Sequence, residues 1–165
     1  MNIAEGLQKG IKAELEGNSF YTMAANSTSD PKGKEVFHTL AAEELDHMRF
    51  LKGQLDSIIK TGRPDPDLKL GNRSELTGGF PIFSESIKAR IKGAHIEMSA
   101  LAIGIQLELD AMNFYKSQAK EISDPEIKKF YDMLAEWEAG HYHALLSQQD
   151  SLKEDYWADA GFAPF

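Results

Sequence analysis

The chain has 165 residues, a formal net charge of −8, 42% hydrophobic and 27% charged residues, and no cysteine. It is long enough for one domain with a real core, and its acidity argues against nucleic acid or an anionic membrane as the main partner. The lack of cysteine excludes a disulfide, a thiolate nucleophile and a cysteine-ligated iron centre within the chain.

Met1-Asn2-Ile3-Ala4-Glu5-Gly6 carries no basic leader, and no later stretch approaches the ~20 apolar residues of a membrane span. The chain is expected to be cytoplasmic. Apolar residues at steps of three and four predict a helix over about 3–28, with a seam of Leu7, Ile11, Glu14, Tyr21 and Ala25. Asp30-Pro31 is a helix start signal, because Asp caps free N–H groups and Pro suits the first helical position. The second helix is expected over about 31–60, with Phe37, Leu40, Glu44, His47 and Leu51 on its seam, completing a first hairpin over 3–60.

Residues 62–83 contain Gly62, Pro64, Pro66, Gly71, Gly78, Gly79 and Pro81 and read as a crossover. About 20 extended residues reach ~70 Å, more than the ~45 Å length of a helix of ~30 residues. The crossover can therefore run the length of a bundle and bring back a second hairpin inverted against the first. A short amphipathic helix is expected over 84–92, ended at Gly93. The third helix, about 98–122, carries Leu101, Ile105, Glu108, Met112, Tyr115 and Ala119 on its seam. The fourth, about 125–152, starts at Asp124-Pro125 and carries Tyr131, Leu134, Glu138, His141 and Leu145; together they form a second hairpin over 98–152. The tail, 153–165, with Tyr156, Trp157, Phe162 and Phe165, is expected to be irregular and to cover a bundle end or a partner subunit.

Sliding the chain by 94 positions aligns 7–57 with 101–151 without a gap, and roughly 20 of about 50 pairs are identical, far above the chance level for this composition. Glu14 and Tyr21, then Glu44 and His47, map onto Glu108 and Tyr115, then Glu138 and His141. This is a duplicated helical hairpin, with an approximate two-fold axis expected between the halves. Spacings of three and seven both keep to one helical face. Four carboxylates and two imidazoles therefore interrupt the middle of the seams that must pack together. Four ionised carboxylates in an apolar core would each cost several kcal/mol without compensation. Two divalent cations balance them. Carboxylates with one imidazole per ion suit iron or manganese better than copper or structural zinc. Tyr21 and Tyr115 sit two turns from Glu14 and Glu108, well placed to donate to a metal-binding carboxylate.

Other polar residues read as ordinary. Glu16 and Asp110 match across the repeat but lie off the seam, and His143 points away from His141. Glu43 neighbours Glu44, but its mate is Trp137, which argues against a ligand role. Asp46 is a candidate for orienting an imidazole, although Gly140 opposes it.

The doubled Glu-x6-Tyr and Glu-x-x-His pattern resembles the ferritin-like di-iron carboxylate superfamily and, within it, the di-iron domain of the rubrerythrin family, over about residues 3–152. That resemblance implies an all-α four-helix bundle, a single domain over 1–165 with two iron ions (manganese as the alternative), and reduction of hydrogen peroxide or dioxygen. The implied ligands are Glu14, Glu44, His47, Glu108, Glu138 and His141, with Glu44 and Glu138 expected to bridge. Electrons would come from a separate donor protein, since full-length rubrerythrins carry a cysteine-rich rubredoxin domain and this chain has no cysteine. Ala111 stands where the family places an additional Glu, which makes the ligand set symmetric between the halves. A homodimer is expected from the resemblance and the aromatic tail. Rival readings are a ferritin-type ferroxidase for iron storage, manganese catalase-like chemistry, an oxygenase, and a purely structural bundle.

Overall fold

A computed structural model describes residues 3–71, 81–159 and 161; among them there is no strand. Four long helices, α1 (Ile3–Ser27), α2 (Pro31–Thr61), α4 (His95–Glu121) and α5 (Pro125–Asp159), are joined through a short α3 (Ser86–Ala89) and a 3-10 turn over Ile91–Gly93. Helix α1 packs on α2 and α4 on α5, while α1 also meets α4 across the bundle. The all-α bundle of two hairpins read from the seams is the fold observed.

The start signals act as expected. Asp30 accepts the Gly33 N–H at 2.8 Å ahead of Pro31, and Asp124 accepts those of Glu126 and Ile127 at 2.9 and 3.3 Å. Helix α2 ends at Gly62, whose φ of 77° lets its N–H reach the Ile58 carbonyl. A residue with a Cβ would be strained in that left-handed conformation.

Two differences from the sequence reading stand out. Residues 153–159 are not irregular: α5 continues to Asp159. Nothing between Lys153 and Asp159 breaks a helix, Leu152 is buried, and Tyr156 meets His95 at 2.8 Å, so the last turns still have something to pack on. Phe162 and Phe165 lie outside the described residues. The segment expected as one helix over 84–92 is a single α turn followed by a 3-10 turn, broken at Arg90, whose φ of −124° is not helical. Helix α4 then begins at His95, ahead of the expected start.

The repeat is visible in the packing. One apolar cluster contains Tyr21, Ala25, Phe37, Leu40, Leu101 and Leu145. The other contains their mates 94 positions away: Tyr115, Ala119, Tyr131, Leu134, Leu7 and Leu51. An approximate two-fold exchanges the two halves of the core. Matching glutamines hold the two ends of the crossover. Gln54 exchanges hydrogen bonds with the Asp65 backbone at 3.0 and 2.8 Å, and its mate Gln148 accepts the Ile82 and Phe83 N–H groups at 2.6 and 3.3 Å.

A buried polar cluster ties the returning chain to the first hairpin. Asp30 accepts the Ser84 N–H at 3.0 Å as well as the Ser84 hydroxyl, and Arg90 Nη2 lies 3.5 Å away. Thr28 donates to the buried Glu97 carboxylate at 2.8 Å. Asp30→Ala removes a cap and leaves several buried donors unpaired, so it is expected to cost about 2–3 kcal/mol. For a domain of this size, thermal unfolding should shift down by about 4–10 °C; an unchanged midpoint would show the cluster to be incidental.

Candidate metal centre

The six seam residues converge on one buried layer between the two apolar clusters. Glu14, Glu44, His47, Glu108, Glu138 and His141 are all at most 4% exposed. Ligand atoms of Glu14, Glu44, His47 and Glu138 all lie within 4.8 Å of one another, as do those of Glu44, Glu108, Glu138 and His141. Glu44 and Glu138 belong to both groups, each coming from the middle of its hairpin's second helix. His47 Nδ1 lies 3.0 Å from Glu138 and 3.3 Å from Glu14. His141 Nδ1 lies 3.3 Å from Glu44, 3.6 Å from Glu108 and 3.8 Å from Glu138. The two rings stack at 5.8 Å and 11°.

The tyrosines act crosswise. Tyr21, on the first hairpin, donates its hydroxyl to Glu108 on the second, and Tyr115 donates to Glu14. Both rings are fully buried. Glycine mates make room for them: a Cβ on Gly10 would lie 3.2 Å from the Tyr115 hydroxyl, and one on Gly104 would lie 3.2 Å from that of Tyr21. Burial, reinforced by the carboxylate each one faces, holds both phenol protons well above their usual pKa. Each hydroxyl donates to a carboxylate of the opposite hairpin, the geometry an orienting role requires. Tyr21→Phe and Tyr115→Phe should keep the fold and weaken metal binding by about tenfold each; equilibrium dialysis of metal into the variants measures this, and unchanged affinity would remove the orienting role.

Packing so many ionisable groups together shifts their affinity for protons. Burial, with the charges of Glu108, Glu138 and Glu14, pushes the Glu44 carboxyl well up. Burial and the Glu14 charge push Glu138 up to about 8. Burial alone would lower both imidazoles, but Glu138 and Glu14 hold His47 well above its usual value, and Glu108 does the same for His141. Burial also works against Glu108 ionising, yet the His141 imidazolium and the Tyr21 hydroxyl keep its carboxyl below the usual range. Without cations, mutual repulsion and burial favour protonated carboxyls at Glu44 and Glu138, and metal ions binding there would compete with those protons.

The donor set fits a pair of metal ions on its own geometry. Among the described residues, Glu44 Oε1, both Glu138 oxygens and His141 Nδ1 are buried without a well-aligned hydrogen bond, their close neighbours being one another and the His47 ring. Buried polar atoms without a well-formed partner are costly unless something coordinates them. A cavity of about 280 Å³ opens onto the layer between α1 and α4. Glu14, Tyr21, Glu44 and Glu108 lie at its inner end, with Gly17 and its mate Ala111 in the wall and Lys9, Glu16 and Asp110 also lining it. The small side chains at 17 and 111 help keep this route open.

The remaining candidates fall as follows. Glu16 pairs with Lys12 on the surface at 3.6 Å, Asp110 accepts from Gln106, and His143 is exposed. Asp46 turns to Arg49 at 3.1 Å and does not orient an imidazole. Glu43, set aside because its mate is Trp137, is buried and accepts the His141 Nε2–H at 2.5 Å. It lies one residue before the Glu-x-x-His pair on α2 yet serves the other hairpin's histidine, so no signal local to its own motif reveals the contact.

The family model described as Rubrerythrin matches residues 5–147. No curated protein and no solved structure matches the chain. Among the described residues, no helix is long and apolar enough to cross a membrane.

Proposed function

This chain belongs to the rubrerythrin family, and we propose that it is a non-haem di-iron oxidoreductase reducing hydrogen peroxide or dioxygen. The observation that carries this reading is the buried layer of four glutamates and two histidines at the end of a cavity large enough for such small oxidants. Glu14 and His47 would hold one iron, Glu108 and His141 the other, with Glu44 and Glu138 shared between them. A reduced iron pair supplies two electrons at one place, which is what converting peroxide to two waters requires, together with two protons.

The chain's own groups do the rest. Tyr21 and Tyr115 fix the outer carboxylates across the hairpin interface, so the ligand positions survive a change of metal charge. The apolar clusters close the layer on either side, and the cavity between α1 and α4 leaves it open to small molecules. In this reading electrons come from a redox centre outside these 165 residues, which contain no cysteine.

The test is a single turnover. Protein loaded anaerobically with Fe2+ is mixed with stoichiometric peroxide or with dioxygenated buffer, and iron oxidation and oxidant consumption are followed together. Oxidation in step with loss of either oxidant is the expected result. Iron that stays ferrous with both would overturn the reading, and oxidation followed by accumulation of hundreds of ferric ions in a large shell would favour the storage alternative.

A further inference from the structure

The repeat places the same ligand types around both metal positions but not the same support behind them. Position 43 is Glu and position 137, its mate, is Trp. Glu43 is 6% exposed and its Oε2 accepts the His141 Nε2–H at 2.5 Å, on the side of the ring away from the Nδ1 that meets Glu44, Glu108 and Glu138. Among the described residues His47 has no such acceptor: its Nε2 is buried without a hydrogen-bond partner, and its ring meets that of Trp137 at 5.1 Å and 74°. The pseudo-symmetric site is thus broken at one pair of positions.

We propose that Glu43 is a positioning residue that makes the two metal positions unequal, the His141 position binding its ion more tightly than the His47 position. This rests on the di-metal reading above. A carboxylate that accepts Nε2–H fixes the tautomer that presents the Nδ1 lone pair, locks the ring's orientation and increases the ring's basicity as a ligand. An indole, which has a donor but no acceptor, meets the other ring edge-on and cannot accept its proton. The His141 position fills first, and the His47 position, with the less anchored imidazole, is the one from which metal leaves.

Anaerobic titration of the metal-free protein with Fe2+, followed by calorimetry, should resolve two binding events. Losing a partner of this kind behind a ligating histidine weakens metal affinity by about 10–100-fold. Glu43→Ala should lower the tighter affinity by that factor and leave the weaker one in place, which also serves as the check on folding. Glu43→Gln keeps an acceptor without the charge and should recover part of the loss, which a role in packing alone would not produce. Two equal affinities in the unaltered protein, or a tighter site unmoved in both variants, would overturn the asymmetry while leaving the di-metal reading standing. Absence of any Fe2+ binding would overturn both.

Discussion

Glu138→Ala should empty both metal positions at once. Glu138 is completely buried and belongs to both groups of ligand atoms, with both imidazoles close by. Metal content after loading and desalting is expected to fall from about two ions per chain to near zero, because neither position retains its full set of charges. Glu44→Ala should behave the same way, since Glu44 is likewise common to both groups. Glu14→Ala and Glu108→Ala each touch one group and should leave the other ion bound. Glu16→Ala, on the surface with Lys12, should change nothing. A Glu138 variant that keeps two ions would remove the shared role. Loss of metal through misfolding would look different from loss of a ligand. Metal-free Glu138→Gln deletes an ionisable group from a dry core at nearly constant volume, so its unfolding temperature should match or exceed that of the metal-free parent.

Most of this site was legible before any coordinates. An offset of 94 positions relates Glu14, Tyr21, Glu44 and His47 to their mates, and helical periodicity alone puts all eight side chains on inward faces. What a one-dimensional pattern cannot carry is which partner each side chain finds across the bundle. Tyr21 shares a helix with Glu14 but serves Glu108, because antiparallel packing brings its hydroxyl level with the opposite hairpin's carboxylate. Glu43 was hidden for a related reason. A repeat highlights what two halves share, and Glu43 acts where they differ, against a histidine 98 residues away. The end of α5 was missed because its last turns carry a weak apolar pattern; they are held by contacts such as Tyr156 with His95, from a region with no counterpart in the repeat. The break at Arg90 was missed for a similar reason: this arginine turns toward Asp30, Ser29 and Glu97, partners that lie at least seven residues away and outside its own short amphipathic pattern.

Metal removal should make the fold pH-sensitive in a specified direction. In the metal-free protein, Glu138 is raised from 4.5 to about 8, and Glu44, His47 and His141 are raised as well. Between the usual values of these groups and their folded values, the native chain binds more protons than the unfolded one, so stability falls as pH rises. The stabilisation is fully present below about pH 4.5 for the carboxyls and is lost as pH passes through about 8. Glu108, lowered in the fold, contributes the opposite slope, but only in the acid range below its usual value of 4.5. Metal binding reverses the balance, since the ligands are deprotonated in the native state and the ions are released on unfolding. Each ion at about 1,000 times its dissociation constant adds about 4 kcal/mol, so two add about 8 kcal/mol. That corresponds to about 15–30 °C in unfolding temperature for a chain of this length. Differential scanning calorimetry at about pH 6 and about pH 8 should therefore show the metal-free midpoint falling with pH and the gap to the metal-loaded protein widening. Parallel curves, or a metal-free protein as stable as the loaded one at the higher pH, would mean that the buried acids and imidazoles are balanced by something other than cations.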